Sequence, residues 1–141
     1  MTYNLKKLYP EIIRQHNDAP YHFEKRVSDE MVYSNNPVCG DRFEFAIERN
    51  SQSKLQFHFH GFGCAISKAS ASILSKTLEG KSQDEALFIC DHFLRYLQNT
   101  LKKDEAVLEP DFLAFSAIQE YPERYECAAL AWEEMRAHLK D

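Results

Sequence analysis

The chain has 141 residues, of which 44% are hydrophobic and 28% charged, and its formal net charge is −5 at pH 7. This size predicts one hydrophobic core and a single domain over residues 1–141. The longest apolar run, CAALAW, is far shorter than the roughly 20 residues of a membrane span, and the N-terminus lacks a secretory signal, so we expect a cytoplasmic protein with no membrane partner. Because Lys and Arg are interspersed with acidic residues, a nucleic-acid partner is not expected either.

The first half of the chain predicts a helix followed by a small antiparallel sheet. Apolar residues from Leu5 to Ile13 recur at helical spacing, and NDAP at 17–20 ends that pattern. Three strands follow: EMVYSNN (30–36), RFEFAIE (42–48) and KLQFHFH (54–60). The second and third alternate apolar and polar residues with period two, and the polar link ERNSQS between them predicts a hairpin.

From Cys64 onward the apolar period becomes helical. Gly80 is a typical helix stop, and SQDE at 82–85 is a capping box that opens the next helix. A short helix is expected over EPDFLAFSAI (109–118) and a closing helix within YPERYECAALAWEEMRAHL (121–139). We therefore predict an α+β fold: an N-terminal helix, a three-stranded antiparallel sheet, and four or so helices packed on the sheet.

Four cysteines in a reducing compartment indicate metal ligands, reactive thiols or core residues rather than disulfides. Cys64 lies where a strand gives way to a helix, in the stretch GFGCAISKASAS (61–72), and the positive end of the helix dipole favours its thiolate form. The alternative is a small buried cysteine at a crowded helix start. Cys90 falls on an apolar helical stripe and is expected in the core.

Two further sites involve cysteine. In NNPVCGD (35–41), Cys39 and Asp41 are two residues apart and would point the same way in an extended segment, although an ordinary polar turn after Pro37 is the alternative. Cys127 lies near the start of the closing helix, with Arg124 one turn earlier.

Three thiols and one carboxylate equal the four ligands of a tetrahedral zinc ion, and the harder carboxylate is the more easily displaced ligand. No C-x-x-C motif is present, so the fold would have to bring these residues together. His58 and His60 share a strand face and form either a metal pair or, in the simpler interpretation, a solvated face. Glu126 reads as a surface residue, and Lys68 either favours the Cys64 thiolate or is a solvated charge.

The motifs NNPVCGD, GFGCAISKASAS and PERYECAALAW, in this order, resemble the NifU/IscU-like iron-sulfur cluster assembly proteins, most closely the SufU branch. The likeness covers nearly the whole chain. It implies a SufE/NifU-like fold and a zinc ion held by Cys39, Asp41, Cys64 and Cys127. It departs from the IscU pattern at Glu126, where IscU proteins carry a histidine before the last cysteine.

The resemblance also implies a function, a zinc-dependent sulfur acceptor or sulfurtransferase. A pyridoxal-phosphate cysteine desulfurase of the SufS type would form a persulfide and supply a histidine that displaces one thiolate from zinc. Cys39 would then accept the sulfur with support from Arg124, and downstream iron-sulfur assembly proteins would receive it. Whether the chain counts as an enzyme stays open. One alternative is a scaffold on which iron or a [2Fe-2S] cluster is bound by the same cysteines, and another is an interaction module with a structural zinc.

Overall fold

The structure, a computed structural model, describes residues 5–38 and 40–140, with side chains from residue 11 on. Helix α1 (Leu5–Asp18) precedes strands β1 (Glu30–Asn36), β2 (Asp41–Arg49) and β3 (Leu55–Phe62). The remaining elements are α2 (Ala65–Leu78), α3 (Gln83–Leu97), a long 3₁₀ helix (Pro110–Glu120), a short one (Pro122–Arg124) and α4 (Tyr125–Leu139). This order confirms the predicted α+β fold. In the described part of the chain, no helix is long and apolar enough to cross a membrane.

The three strands form one antiparallel sheet in the order β1-β2-β3. Their inner face is apolar because the sequence alternates with period two, and it carries Phe43, Phe45, Phe57 and Phe59, all buried. The outer face carries polar and partly exposed side chains. β3 continues two residues beyond the predicted end, and the register pairs Phe62 with Arg42. The strand therefore runs to within two residues of Cys64.

Helices α2 and α4 cover the inner face of the sheet, with α2 against β3 and α4 against β1. Trp132 on α4 is fully buried, and its indole N–H donates to Ser70 Oγ on α2 at 3.0 Å. The Ser70 hydroxyl in turn donates to the Ala128 carbonyl at 2.6 Å. These buried bonds fix the spacing of the two helices whose N-terminal ends carry Cys64 and Cys127, since each polar group has its partner in the other helix.

The helix that opens at SQDE has the predicted capping box, in which Ser82 and Glu85 satisfy each other's backbone N–H groups. The connection from α3 to the long 3₁₀ helix is held by a buried histidine: Leu108 N donates to His92 Nε2 at 3.1 Å, so the other ring nitrogen donates to Glu105. The carboxylate of Glu105 also accepts two bonds from Arg95 at 2.9 Å. These contacts order the long connection between α3 and the 3₁₀ helix.

Candidate metal centre

Asp41 is the first residue of β2, and its side chain points inward. It is 4% exposed, and its Oδ1 accepts a hydrogen bond from the backbone N–H of Cys64 at 3.1 Å. Its second oxygen, Oδ2, is buried and has no hydrogen-bond partner among the described residues. A buried carboxylate oxygen without a partner is costly, and a bound cation would remove that cost. The carboxylate is therefore a fit for a metal ion.

The predicted change from strand to helix does fall at Cys64, which occupies the N-cap position of α2. Its Sγ accepts the backbone N–H of Ser67 at 3.4 Å and lies 3.4 Å from the Ser67 hydroxyl. That hydroxyl donates to the Cys64 carbonyl at 3.0 Å, a carbonyl that also accepts the Lys68 backbone N–H at 3.0 Å. The carbonyl therefore keeps a donor if the Ser67 hydroxyl turns toward the sulfur of a thiolate.

Cys127 lies in the first turn of α4 and is buried. Its Sγ, the Cys64 Sγ and one Asp41 carboxylate oxygen all lie within 4.8 Å of one another. Two sulfurs and one oxygen are a donor set that zinc accepts, with metal–ligand distances of about 2.0–2.3 Å. Three of the four predicted metal ligands thus lie close together in the fold, although they are far apart along the chain.

The two glycines of the turn, Gly61 and Gly63, each allow a close contact that a larger residue would prevent. A Cβ on Gly63 would lie 2.5 Å from Ser67 Oγ, 2.7 Å from Asp41 Oδ1 and 2.9 Å from the Phe43 ring. Any larger residue at position 63 would therefore displace the side chains that form the centre. Gly61 has a different role, because it has φ +141° and a Cβ there would come 2.0 Å from the Arg42 carbonyl oxygen of β2.

The fourth predicted ligand, Cys39, lies outside the described residues. The connection in which position 39 falls begins after Asn36 and ends at Asp41, and the register pairs these two residues with each other. Val38, the residue immediately before position 39, is 92% exposed. The connection therefore starts and ends beside the candidate centre.

The other residues considered from the sequence are distributed as follows. Arg124 is exposed at the end of the short 3₁₀ helix, one turn before Cys127. Cys90 is fully buried in the core, as predicted, and burial raises the pKa of its thiol to about 12. Lys68 is engaged elsewhere, with its Nζ 4.7 Å from the centroid of the Phe23 ring. The Lys68 ammonium group thus makes a cation–π contact with Phe23.

The two strand histidines lie on the outer face of the sheet, away from the cysteines. His58 stacks on His22 with ring centroids 5.1 Å apart, and His60 stacks on Phe23 at 4.8 Å. Among the described residues neither belongs to a group of three or more that could hold a metal ion. Both rings are half-buried beneath a neighbouring ring, so neither faces open solvent as the simpler interpretation expected.

A small recess between the sheet, α2 and α4 opens on the candidate centre. Its lining includes Glu126, the residue that precedes Cys127, and Ser67, which the sequence analysis did not single out. In a capping box the side chain of the third residue after the N-cap reaches back to the cap, so the spacing from Cys64 could have indicated Ser67 even though that position usually holds Glu or Gln. The full lining is Ser34, Asn36, Asp41, Phe43, Ser67, Glu126, Cys127, Leu130 and Ala131.

Comparison with known proteins agrees with the motifs. The iron-sulfur cluster assembly scaffold protein IscU of Streptococcus pyogenes serotype M1 is 31% identical over 137 residues, which covers 96% of this chain and 85% of that protein. The zinc-dependent sulfurtransferase SufU of Bacillus subtilis (strain 168) is 31% identical over 130 residues, which covers 92% of this chain and 88% of that protein. The relatives thus include the SufU branch that the motifs indicated.

A solved structure shares the fold over nearly the whole chain. It is that of a candidate iron-sulfur cluster assembly scaffold protein for the SUF system from Fervidobacterium islandicum AW-1, with a TM-score of 0.79 and 26% identity over 95% of this chain and 98% of that chain. Residues 8–139 match the family described as NifU-like N terminal domain. The resemblance drawn from three short motifs is therefore confirmed, and this chain belongs to the NifU-like N terminal domain family.

Proposed function

We propose that this protein acts in iron-sulfur cluster assembly as a zinc-dependent acceptor of persulfide sulfur from a cysteine desulfurase. The observation that carries the proposal is the meeting of the Asp41 carboxylate with the thiols of Cys64 and Cys127, where one buried oxygen of Asp41 has no partner among the described residues. The kinship to a protein named as a zinc-dependent sulfurtransferase supports the same assignment.

Zinc would be held by Cys39, Asp41, Cys64 and Cys127. When bound, it keeps its thiolate ligands deprotonated while restraining their reactivity. Asp41 is the hardest of the four ligands, but the exchange that the transfer needs is at Cys39, which a histidine of the desulfurase would replace on the ion. Cys64 is held by Asp41 through its backbone N–H and by Ser67 at its sulfur, and Cys127 is buried. These contacts favour Cys64 and Cys127 as fixed ligands and leave Cys39 as the acceptor.

In the proposed transfer, the thiolate of Cys39 attacks the outer sulfur of the persulfide on the desulfurase. One S–S bond breaks in the desulfurase and one forms on Cys39. The desulfurase cysteine leaves as a thiolate, the outer sulfur carries its proton with it, and no external oxidant or reductant is needed. Arg124, an exposed cation one turn before Cys127, would stabilise the anionic sulfur during the exchange.

The experiment is desulfurase stimulation measured with protein purified without oxygen, together with its zinc and iron content. We expect about one zinc per chain, no iron uptake, and stimulation of a SufS-type cysteine desulfurase that depends on Cys39. Cys39→Ala should abolish persulfide formation on this protein, as read by mass spectrometry after alkylation. Cys90→Ala is the matched control, since Cys90 lies in the core, and it should keep the activity.

A second function is favoured by the kinship to IscU proteins that are named as scaffolds. In that case the same cysteines would hold a [2Fe-2S] cluster while it is built. An absorbing cluster formed on reconstitution with iron and sulfide, without desulfurase stimulation by the zinc form, would support the scaffold and contradict the relay. Bound zinc that raises the melting temperature, with neither stimulation nor a cluster, would instead indicate a structural zinc in an interaction module.

A further inference from the structure

Most arginines of this chain already have a carboxylate partner. Arg42 and Arg124 do not: among the described residues, no carboxylate lies within ion-pair distance of either guanidinium. Both sit next to candidate ligands in sequence, since Arg42 follows Asp41 and Arg124 precedes Cys127 by three residues. The arginines with a partner are Arg14, Arg26, Arg49, Arg95 and Arg136.

Arg42 lies at the centre of a groove on the outer face of the sheet. The register places it opposite Asn35 on β1 and Phe62 on β3, with Tyr33 in the neighbouring cross-strand row. Tyr33 is 58% exposed and Phe62 is 62% exposed. We call this surface, comprising Tyr33, Asn35, Arg42, Glu44, His60 and Phe62, the Arg42 patch.

The charge of the patch is not balanced from within. Glu44, the carboxylate in the same groove, is paired with Lys25 at 2.8 Å. Arg42 therefore presents a cation between two exposed aromatic rings, in a chain whose overall net charge is −5. Arginine and tyrosine are enriched among residues that dominate the binding energy of protein interfaces, and a guanidinium binds a carboxylate with two parallel hydrogen bonds.

The patch lies on the opposite face of the sheet from the candidate centre and adjoins it at the strand ends, where Asn35, Asp41 and Arg42 line one recess. Because side chains alternate along a strand, Asp41 points into the centre while Arg42, the next residue, points outward. Phe62 stands two residues before Cys64. A partner seated on the patch would thus cover the outer side of the same strand ends that carry Asp41 and Cys64.

We propose that the Arg42 patch is a docking surface for the cysteine desulfurase, which would place a carboxylate on Arg42 and an apolar side chain against Tyr33 and Phe62. The inference rests on the proposed function, which requires a sulfur donor to reach this end of the molecule. A second copy of this chain fits less well, because a two-fold contact across the patch would bring one Arg42 toward the other. Nucleic acid is disfavoured by the net negative charge.

The test compares Arg42→Glu with Arg14→Glu, which makes the same charge change in an exposed pair on α1. The concentration of this protein that gives half-maximal stimulation of the desulfurase should rise about tenfold or more in Arg42→Glu, with the maximal rate and zinc content unchanged. Arg14→Glu should resemble the wild type. Phe62→Ala should move the half-maximal concentration in the same direction, and it keeps the result interpretable if the charge reversal disturbs the fold.

Equal half-maximal concentrations for the wild type, Arg42→Glu and Phe62→Ala would overturn the docking surface while leaving the proposed function intact. A wild-type protein that fails to stimulate the desulfurase would overturn both. A dimer seen by sedimentation in the wild type and lost in Arg42→Glu would assign the patch to contacts between copies of this chain and would likewise overturn the proposal.

Discussion

Asp41 has two roles at the scale of single residues. One oxygen holds the backbone N–H of Cys64, and the other is buried without a partner in the described part of the chain. The sequence placed Asp41 among the ligands but not at the cap of α2, because the N–H it binds is 23 residues away. Ser67 was missed for a related reason: its hydroxyl becomes informative only once Cys64 is known to be the N-cap. The types of residue in the motifs predicted which side chains could bind a metal ion. The hydrogen bonds that orient those side chains depend on the fold and could not be predicted.

Ser67→Ala should weaken metal binding. The substitution removes the hydroxyl that faces the Cys64 sulfur but keeps the backbone N–H that also donates to it. Partners of metal ligands typically contribute about tenfold to a hundredfold in affinity, so we expect zinc to be lost to a competing chelator at about tenfold lower chelator concentration. Ser75→Ala is the control, because the Ser75 hydroxyl donates to the Ala71 carbonyl of its own helix and is not part of the candidate centre. Equal zinc retention in the two variants would contradict the role given to Ser67.

Gly63→Ala should deform the centre more than it destabilises the fold. The new methyl would press on Ser67 Oγ, Asp41 Oδ1 and the Phe43 ring, so we expect the zinc content of the purified protein to fall below half of the wild-type value. Gly80→Ala provides the contrast, since a non-glycine residue at φ +80° costs about 1–2 kcal/mol, but no atom of the described residues would lie within 4 Å of the new Cβ. That variant should lower the melting temperature and keep its zinc. Full zinc content in Gly63→Ala would contradict the claim that the centre requires a glycine at position 63.

At the scale of elements, the strands were predicted well because their apolar alternation is clear. The observed strands differ from the predicted ones only at their ends, by one or two residues. β3 runs on to Phe62 because Gly61 allows the close approach to the Arg42 carbonyl, which no period-two pattern reveals. The stretch expected as a short helix is a 3₁₀ helix over Pro110–Glu120, since the apolar pattern does not separate the two helical forms. The strands β1 and β2 and the helix α4 are also connected through the carboxylate of Glu30. Glu30 on β1 contacts Arg49 on β2 at 2.9 Å and His138 on α4 at 2.7 Å.

The Glu30 contacts predict an acid-dependent loss of stability. Its hydrogen bonds to Arg49 lower the pKa of the carboxyl to about 2 from an ordinary 4.5. The stabilisation is therefore complete above about pH 4.5 and is lost as the pH falls toward 2. Urea unfolding should show Glu30→Gln less stable than the wild type by about 1–3 kcal/mol at pH 6, with the gap closing toward pH 2. Glu24→Gln, which breaks an exposed pair, should show a smaller gap, and a constant gap for Glu30→Gln would contradict the assignment.

At the scale of the whole molecule, the fold brings together residues that share no local motif. Asp41 comes from the start of a strand, Cys64 from the cap of one helix and Cys127 from the first turn of another, and the buried Ser70–Trp132 contact fixes the last two elements against each other. Sequence spacing alone could not establish this meeting, and the resemblance to a family supplied it as an expectation. The same fold leaves Arg42 on the outer face, where no alternation pattern distinguishes a docking cation from an ordinary solvated one.

The most direct test of the metal centre is zinc K-edge X-ray absorption on wild-type protein purified without oxygen. With Cys39, Cys64, Cys127 and Asp41 as ligands, the spectrum should fit three sulfur atoms at about 2.3 Å and one oxygen at about 2.0–2.2 Å. A shell made only of nitrogen and oxygen atoms, or a shell with a single sulfur, would contradict the account.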